Sequence, residues 1–318
     1  MTHTEHAWQP PEYAAPKAFD EHDLLLGSEP VAVPGTISMH RANGLDGPRP
    51  GVVLLPGSGP TDRDGTLGDN KPLRDIAWGL ASRGVAVLRF DKITHARPER
   101  IDEKFTAADE YVPHGVAAVH ALRAHPGVDP ERVFVLGHSL GGRMAPRVAA
   151  AEPSVAGLIL MAGSAQPVHW TVVRQVRYLT ELGGGASLPT VETLTRQARL
   201  VDSADLSLAT PREQLPLAAP AAYWLDLRDY DPVAVAAAVG KPMLILQGGR
   251  DYQVTVDDDL ARWRAGLDGR PGVTIRFYDA DNHLFFPGTG PSTPAEYTPP
   301  QHVDPQIVTD IATWITTR

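Results

Sequence analysis

The 318-residue chain contains no cysteine. That absence excludes disulfides, thiolate-bound zinc and a cysteine nucleophile. No apolar run approaches the roughly 18 residues that a membrane span needs. The N-terminal stretch Met1 to His6 lacks a basic segment followed by an apolar one, so no secretory leader is expected. Positive charge is also scarce: 29 Lys and Arg stand against 38 Asp and Glu, a net charge of −9. With no basic stripe, neither nucleic acid nor a membrane surface is an expected partner. The glycine-rich stretch at 57–59 is not followed by Gly-Lys-Ser/Thr, which argues against a phosphate cradle. No His-Glu-x-x-His or clustered acid and histidine set is present, so neither a metal nor a cofactor is expected. The expectation from these absences is a cytoplasmic protein, with homo-oligomerisation left open.

The residues that are present form a pattern. Hydrophobic side chains make up 42% of the chain and charged ones 21%, enough for one large domain or a core with an insertion. Residues 1–20, rich in Pro, His and Ala, read as a loose arm. Strand candidates follow at 23–26 and 31–40, the second broken at Pro34-Gly35, with turn signals at Asn43-Gly44 and Asp46-Gly47-Pro48. From Gly51 onward, short apolar runs alternate with helical periodicity. The runs at 51–55, 85–90, 133–136 and 155–161 read as strands buried on both faces. Helices are expected at 72–83, 114–125 and 142–151, the first closed by Gly84. Such alternation predicts an α/β fold: a mostly parallel twisted sheet with helices on both faces, joined by right-handed crossovers. Residues 167–237 contain no buried-strand run. Two amphipathic segments there, 172–182 and 191–201, flank Gly183-Gly184-Gly185 and read as a helical cap insertion. The alternation resumes with strands at 242–246 and 273–278 and helices at 256–267 and 305–316. The expected organisation is therefore a core of 21–166 and 238–318 interrupted by a cap of 167–237.

One pentapeptide carries the chemistry. Gly137-His138-Ser139-Leu140-Gly141 reads G-x-S-x-G between a strand and a helix, the context of a nucleophile elbow. A serine hydroxyl needs a histidine to take its proton and a carboxylate to orient that histidine. Both follow in chain order at the ends of later strands. Asp251 lies just beyond Met243 to Leu246, and His283 just beyond the strand ending at Tyr278. Strand ends are where open α/β sheets place their ligands. The rivals are Asp279 and Asp281 for the acid and His302 for the base. The backbone N–H groups of Leu140 and Ser58 are the expected oxyanion donors. His138 and Tyr252 are candidate pocket-lining residues. Arg63 and Asp64 read as a brace of the loop beside the pocket.

These motifs resemble the α/β-hydrolase superfamily, and within it the carboxylesterases related to the prolyl-oligopeptidase-like and dienelactone-hydrolase-like groups. The resemblance rests on residues 56–65, 137–142, 247–254 (Gln-Gly-Gly-Arg-Asp-Tyr-Gln-Val) and 282–285. It runs from about residue 25 to the C-terminus and is weakest in the insertion. Pro56 stands where a histidine often precedes the oxyanion glycine. After the strand at 85–90, Asp91-Lys92 runs into Ile93-Thr94-His95 where such enzymes often have Asp-Arg/Lys-Arg-Gly. The resemblance implies a serine hydrolase that cleaves a carboxylic ester, with Ser139, Asp251 and His283 as the triad. Acyl transfer, thioester cleavage or a non-hydrolytic tailoring step on the same pocket are the alternatives, followed by a non-catalytic ligand-binding role.

Overall fold

A computed structural model describes residues 8–41, 47–184 and 188–318. His3, His6, the Asn43-Gly44 turn and Gly185 lie outside the described residues. Eight strands form one sheet: β1 (Phe19–Leu26), β2 (Val33–His40), β3 (Arg49–Leu55), β4 (Ala86–Phe90), β5 (Val128–His138), β6 (Leu158–Met161), β7 (Met243–Gly248) and β8 (Val273–Tyr278). Their order is β1-β2-β4-β3-β5-β6-β7-β8. The β1–β2 and β2–β4 pairs are antiparallel, and all remaining neighbours are parallel.

Strand periodicity builds the two cores. Val53, Leu55, Val133, Val135, Leu158, Leu160, Met243 and Ile245 face one side of the sheet. Val52, Leu54, Phe134, Leu136, Ile159, Met161, Leu244 and Leu246 face the other. Successive residues thus serve opposite cores, and each run reads as continuously apolar because both faces are covered. Helices α1 (Pro72–Ala81) and α10 (Pro305–Thr316) cover the second face through Leu73, Ile76, Ile307 and Ile311. The first face carries α3 (Ala107–Arg123), α4 (Leu140–Ala151), α8 (Pro232–Val239) and α9 (Ala261–Leu267). A short α2 (Ile93–Ala96) follows β4.

Between β6 and β7 lie α5 (Val168–Glu181), α6 (Val191–Asp202), α7 (Ala221–Arg228) and α8. They divide physically. Helices α5 and α6 share a small cluster of Val173, Val176, Leu194 and Ala198. Trp224, Leu227, Tyr230 and Val233, from α7 to α8, join the main core instead. Parallel neighbours such as β6 and β7 require a crossover helix, and α8 supplies it. Arg143 of α4 ties both ends of this segment down, donating to the carbonyls of Gln166 at 3.0 Å and Tyr230 at 2.7 Å.

Three expectations need correction. The described part of the N-terminal arm is docked rather than loose. Trp8 donates its indole N–H to Asp75 at 2.9 Å and packs edge-on against Trp78, and β1 already begins at Phe19. Strand β2 runs unbroken through Pro34-Gly35. The Pro34 carbonyl accepts from Asp91 N–H at 2.9 Å, and a side chain at position 35 would crowd the Arg89 carbonyl at 3.3 Å. Helix α3 starts at Ala107 rather than 114, because Thr106 and Asp109 form a capping box and Pro113 is accommodated inside the helix.

Candidate active site

Ser139 follows β5 directly and sits at φ 56°, ψ −119°, a conformation that costs roughly 1–3 kcal/mol for a non-glycine residue. The surroundings hold it there. Its N–H donates to the Met161 carbonyl at 2.9 Å, and its own carbonyl accepts from Arg143 N–H at 3.0 Å. The elbow is too tight for side chains at its flanks. A Cβ on Gly137 would lie 2.1 Å from the Gly141 carbonyl oxygen, and one on Gly141 would lie 2.3 Å from that of Leu55. Helix α4 begins with the next residue, so the Leu140 N–H is one of the donors that a helix start leaves free.

Asp251 and His283 meet as the loops after β7 and β8 converge. The His283 Nδ1–H donates to Asp251 Oδ2 at 2.7 Å, with His283 4% and Asp251 5% exposed. The other carboxylate oxygen, Oδ1, accepts from the N–H groups of Gln253 at 2.8 Å and Val254 at 2.9 Å. The carboxylate is thus hydrogen-bonded on both oxygens, as a buried charge must be. The two loops are also braced to each other. Arg250 hydrogen-bonds Glu296, and the second Glu296 oxygen accepts from Asn282 Nδ2 at 2.9 Å. Asn282 Oδ1 in turn accepts from the N–H groups of Leu284 and Phe286, which shapes the turn that carries His283.

His138 lies beside this pair rather than outside it. Its ring sits 4.8 Å from that of His283, and its Nε2–H donates to the His283 carbonyl at 2.8 Å. Burial, reinforced by the neighbouring His283, pushes its pKa down to about 4, so it stays neutral and buttresses the catalytic candidate. His138 lines a cleft of about 220 Å³ together with Ser139, His283, Gly57 and Ser58. Tyr252 does not line it. That ring stacks on Tyr178 at 4.9 Å, and its neighbour Gln253 faces the cleft instead. Among the rivals, His302 pairs with Asp75 at 3.1 Å, away from Ser139. Asp281 is buried with neither carboxylate oxygen partnered, and burial pushes its pKa up to about 7.

Ser58 also borders a second, larger cavity of about 580 Å³ together with Ser139 and Leu140. The loop that carries it is held from behind. Arg63 forms an ion pair with Asp91 at 2.9 Å, and Asp64 one with Arg89 at 2.9 Å, so both residues act as braces. Behind Gly57 lies a group that sequence reasoning passed over. Lys92, 1% exposed, donates to the Gly57 carbonyl at 2.9 Å and pairs with Glu110 at 2.9 Å. The Tyr111 hydroxyl donates to the same carbonyl at 2.8 Å. Burial pushes the Lys92 ammonium pKa down, opposed by Glu110. The Gly57 carbonyl and the Ser58 N–H belong to one rigid trans peptide and point opposite ways. Two donors on the carbonyl therefore fix the direction of the N–H.

Residues 52–301 match the model of the alpha/beta hydrolase family. The chain is 38% identical over 314 residues to Esterase EstD of Thermotoga maritima, covering 98% of this chain and 71% of that protein. An esterase of Pyrococcus furiosus superposes with a TM-score of 0.60 at 18% identity, covering 98% of both chains. The acylaminoacyl peptidase of Pyrococcus horikoshii superposes with a TM-score of 0.54 at 16% identity, over 84% of this chain and 38% of that one. These two structural likenesses concern the fold.

Proposed function

The chain belongs to the alpha/beta hydrolase family, and on that premise we propose that it is a serine hydrolase that cleaves a carboxylic ester through an acyl-enzyme. The observation that carries the reading is the His283–Asp251 hydrogen bond of 2.7 Å, in a cleft that His283 shares with the elbow serine. Ser139 Oγ attacks the acyl carbon while His283 Nε2 takes its proton. The Ser58 and Leu140 N–H groups receive the oxyanion. The carbonyl re-forms, the C–O bond to the alcohol breaks, and the proton on His283 passes to the departing oxygen. Water then repeats the sequence: its proton goes to His283, its oxygen joins the acyl carbon, and the proton returns to Ser139 Oγ as the acid leaves. Asp251 holds the imidazole in the tautomer with Nδ1–H and stabilises the imidazolium. The fixed Gly57–Ser58 peptide supports the oxyanion role, since a preorganised donor costs no reorganisation as charge develops.

The experiment is Ser139→Ala. Turnover of p-nitrophenyl acetate is expected to fall by about 10⁴-fold or more, with the melting temperature little changed, since alanine keeps the Cβ and the strained backbone of the elbow. Turnover within tenfold of the unsubstituted protein would exclude Ser139 as nucleophile.

A further inference from the structure

The candidate acid Asp251 is gripped from a helix outside the strand ends. Its Oδ1 accepts from the Val254 N–H at 2.9 Å. That N–H shares one trans peptide group with the Gln253 carbonyl, so the two point opposite ways. The carbonyl faces α5 and accepts two hydrogen bonds from it, from Arg174 Nη2 at 3.0 Å and Gln175 Nε2 at 3.3 Å. Helix, peptide and carboxylate form one chain of hydrogen bonds.

Arg174 is itself held in place. Its Nη1 donates to Asp258 Oδ2 at 2.7 Å, and its Nη2 donates to Asp259 Oδ2 at 2.6 Å as well as to the Gln253 carbonyl. A guanidinium presents its donors in a fixed plane, so the carboxylates that hold it also aim it. Asp259 is fully buried. Its oxygens also accept from the N–H groups of Ala165 and Gln166, both at 2.9 Å, and of Thr255 at 3.1 Å. One buried carboxylate thus ties α5 to the loops that follow β6 and β7.

The arrangement repeats what Lys92 does at Gly57. There a cation takes the carbonyl of the peptide whose N–H is an oxyanion candidate. Here a cation takes the carbonyl of the peptide whose N–H holds the candidate acid. A cation on the carbonyl strengthens the N–H as a donor, because hydrogen bonds in a chain polarise one another.

We propose that Arg174 is a positioning residue for the reaction. Through the Gln253–Val254 peptide it fixes the direction of the Asp251 carboxylate, and through that the ring of His283. The proposal rests on the serine-hydrolase reading with Asp251 as its acid. It gives α5 a part in the chemistry besides lining the large cavity, which Val172 and Val176 do.

Arg174→Met tests it. The kcat for p-nitrophenyl acetate is expected to fall by about tenfold or more, as small misplacements of reacting groups do, with KM changed by less than about twofold. The charge-assisted His283 Nδ1–H bond should give a downfield proton NMR signal that His283→Ala abolishes. In Arg174→Met that signal should move upfield and broaden as Asp251 turns. Val173→Ala is the control, because it weakens the α5–α6 cluster and leaves Arg174 in place. It should keep kcat within about twofold and the signal unmoved. Should Arg174→Met fail to fold, Gln175→Leu removes the second donor and leaves every carboxylate paired. The signal is then expected to move the same way by less. An unmoved signal, a kcat loss below about tenfold in Arg174→Met, or an equal loss in Val173→Ala overturns the assignment and leaves Arg174 a helix anchor. None of these outcomes touches hydrolysis by the unsubstituted protein. If that protein neither turns over the ester nor is labelled by a fluorophosphonate at Ser139, the hydrolase reading falls and the role of Arg174 with it.

Discussion

The ends of β3, β5, β7 and β8 and the helices α5 and α6 face each other across one space, yet they are built by different means. At the strand ends, position is fixed by hydrogen bonds and close backbone contacts. Gly137 and Gly141 admit no side chain, Asp251 is held on both oxygens, and Gly57 is gripped by Lys92 and Tyr111. Helices α5 and α6 meet each other through a small apolar cluster of Val173, Val176, Leu194 and Ala198, although Arg174 also pins α5 to Asp258 at 2.7 Å and Asp259 at 2.6 Å. Leu182, next to α5, and Leu188, before α6, are 47% and 39% exposed. Directional polar contacts specify an angle, whereas apolar packing specifies mainly a volume. The first suits a reaction whose geometry is invariant, and the second suits a pocket whose occupant can differ between relatives.

The contrast can be broken from the polar side first. Asp251→Asn keeps the shape but loses the charge that selects the His283 tautomer. We expect kcat for p-nitrophenyl acetate to fall by about 10⁴-fold, with far-UV circular dichroism unchanged. A loss under tenfold would mean that the loops after β7 and β8 do not carry the chemistry.

Lys92 is the next test. Removing it alone leaves Glu110 buried and unpaired, at a cost of about 3–5 kcal/mol, so the informative protein is the double variant Lys92→Met with Glu110→Gln. With the Gly57 carbonyl freed from the ammonium, the Ser58 N–H loses one of its two constraints. The expected kcat loss is about 10- to 100-fold, smaller than removal of an oxyanion donor, with KM changed by less than about twofold. A rise in KM with kcat preserved would make Lys92 a structural residue only.

The apolar side should respond in stability. Val173 is 2% exposed, packs within the α5–α6 cluster and does not line the 580 Å³ cavity. Val173→Ala is expected to cost about 1–2 kcal/mol, read from the urea midpoint. Amide exchange should quicken in α5 and α6 while β5 amides keep their protection. Equal loosening of both regions would show that they unfold as one unit.

The last test reads pH dependence and concerns Asp281. Its pKa of about 7 stands above the ordinary 3.8, so the folded protein holds this proton more tightly than the unfolded chain. The contribution of this group to stability is therefore full below about pH 4, declines as pH rises toward 7, and is constant above that. Asp281→Asn should flatten this part of the pH profile, and the difference from the unsubstituted protein should grow between pH 4 and 7. A difference independent of pH would show that Asp281 is ionised throughout.

Much of the strand-end region was legible in the sequence. Ser139 and Asp251 each follow a continuous apolar run, which marks a buried strand whose end faces the site, whereas His283 follows the partly exposed edge strand β8, which carries Thr274 and Arg276. Lys92 was not legible as part of it. Its partners Gly57, Glu110 and Tyr111 come from separate segments, and a lone lysine in sequence reads as a surface group. The helical segment was legible as helices with some apolar residues turned to the pocket, but not which ones. Periodicity identifies the apolar stripe of α5, but Val173 packs into the cluster while Val172 faces empty space, and only tertiary placement separates them. Tyr252 shows the same limit, since its ring turned to Tyr178 and left Gln253 facing the cleft.

The central claim is that Ser139 is the activated nucleophile, and covalent trapping addresses it most directly. The folded protein would be treated with a fluorophosphonate, digested and mapped by mass spectrometry. The account predicts one adduct, on Ser139, that disappears in His283→Ala because the hydroxyl is no longer activated. An adduct on another serine, or continued ester hydrolysis with Ser139 unmodified, would contradict it.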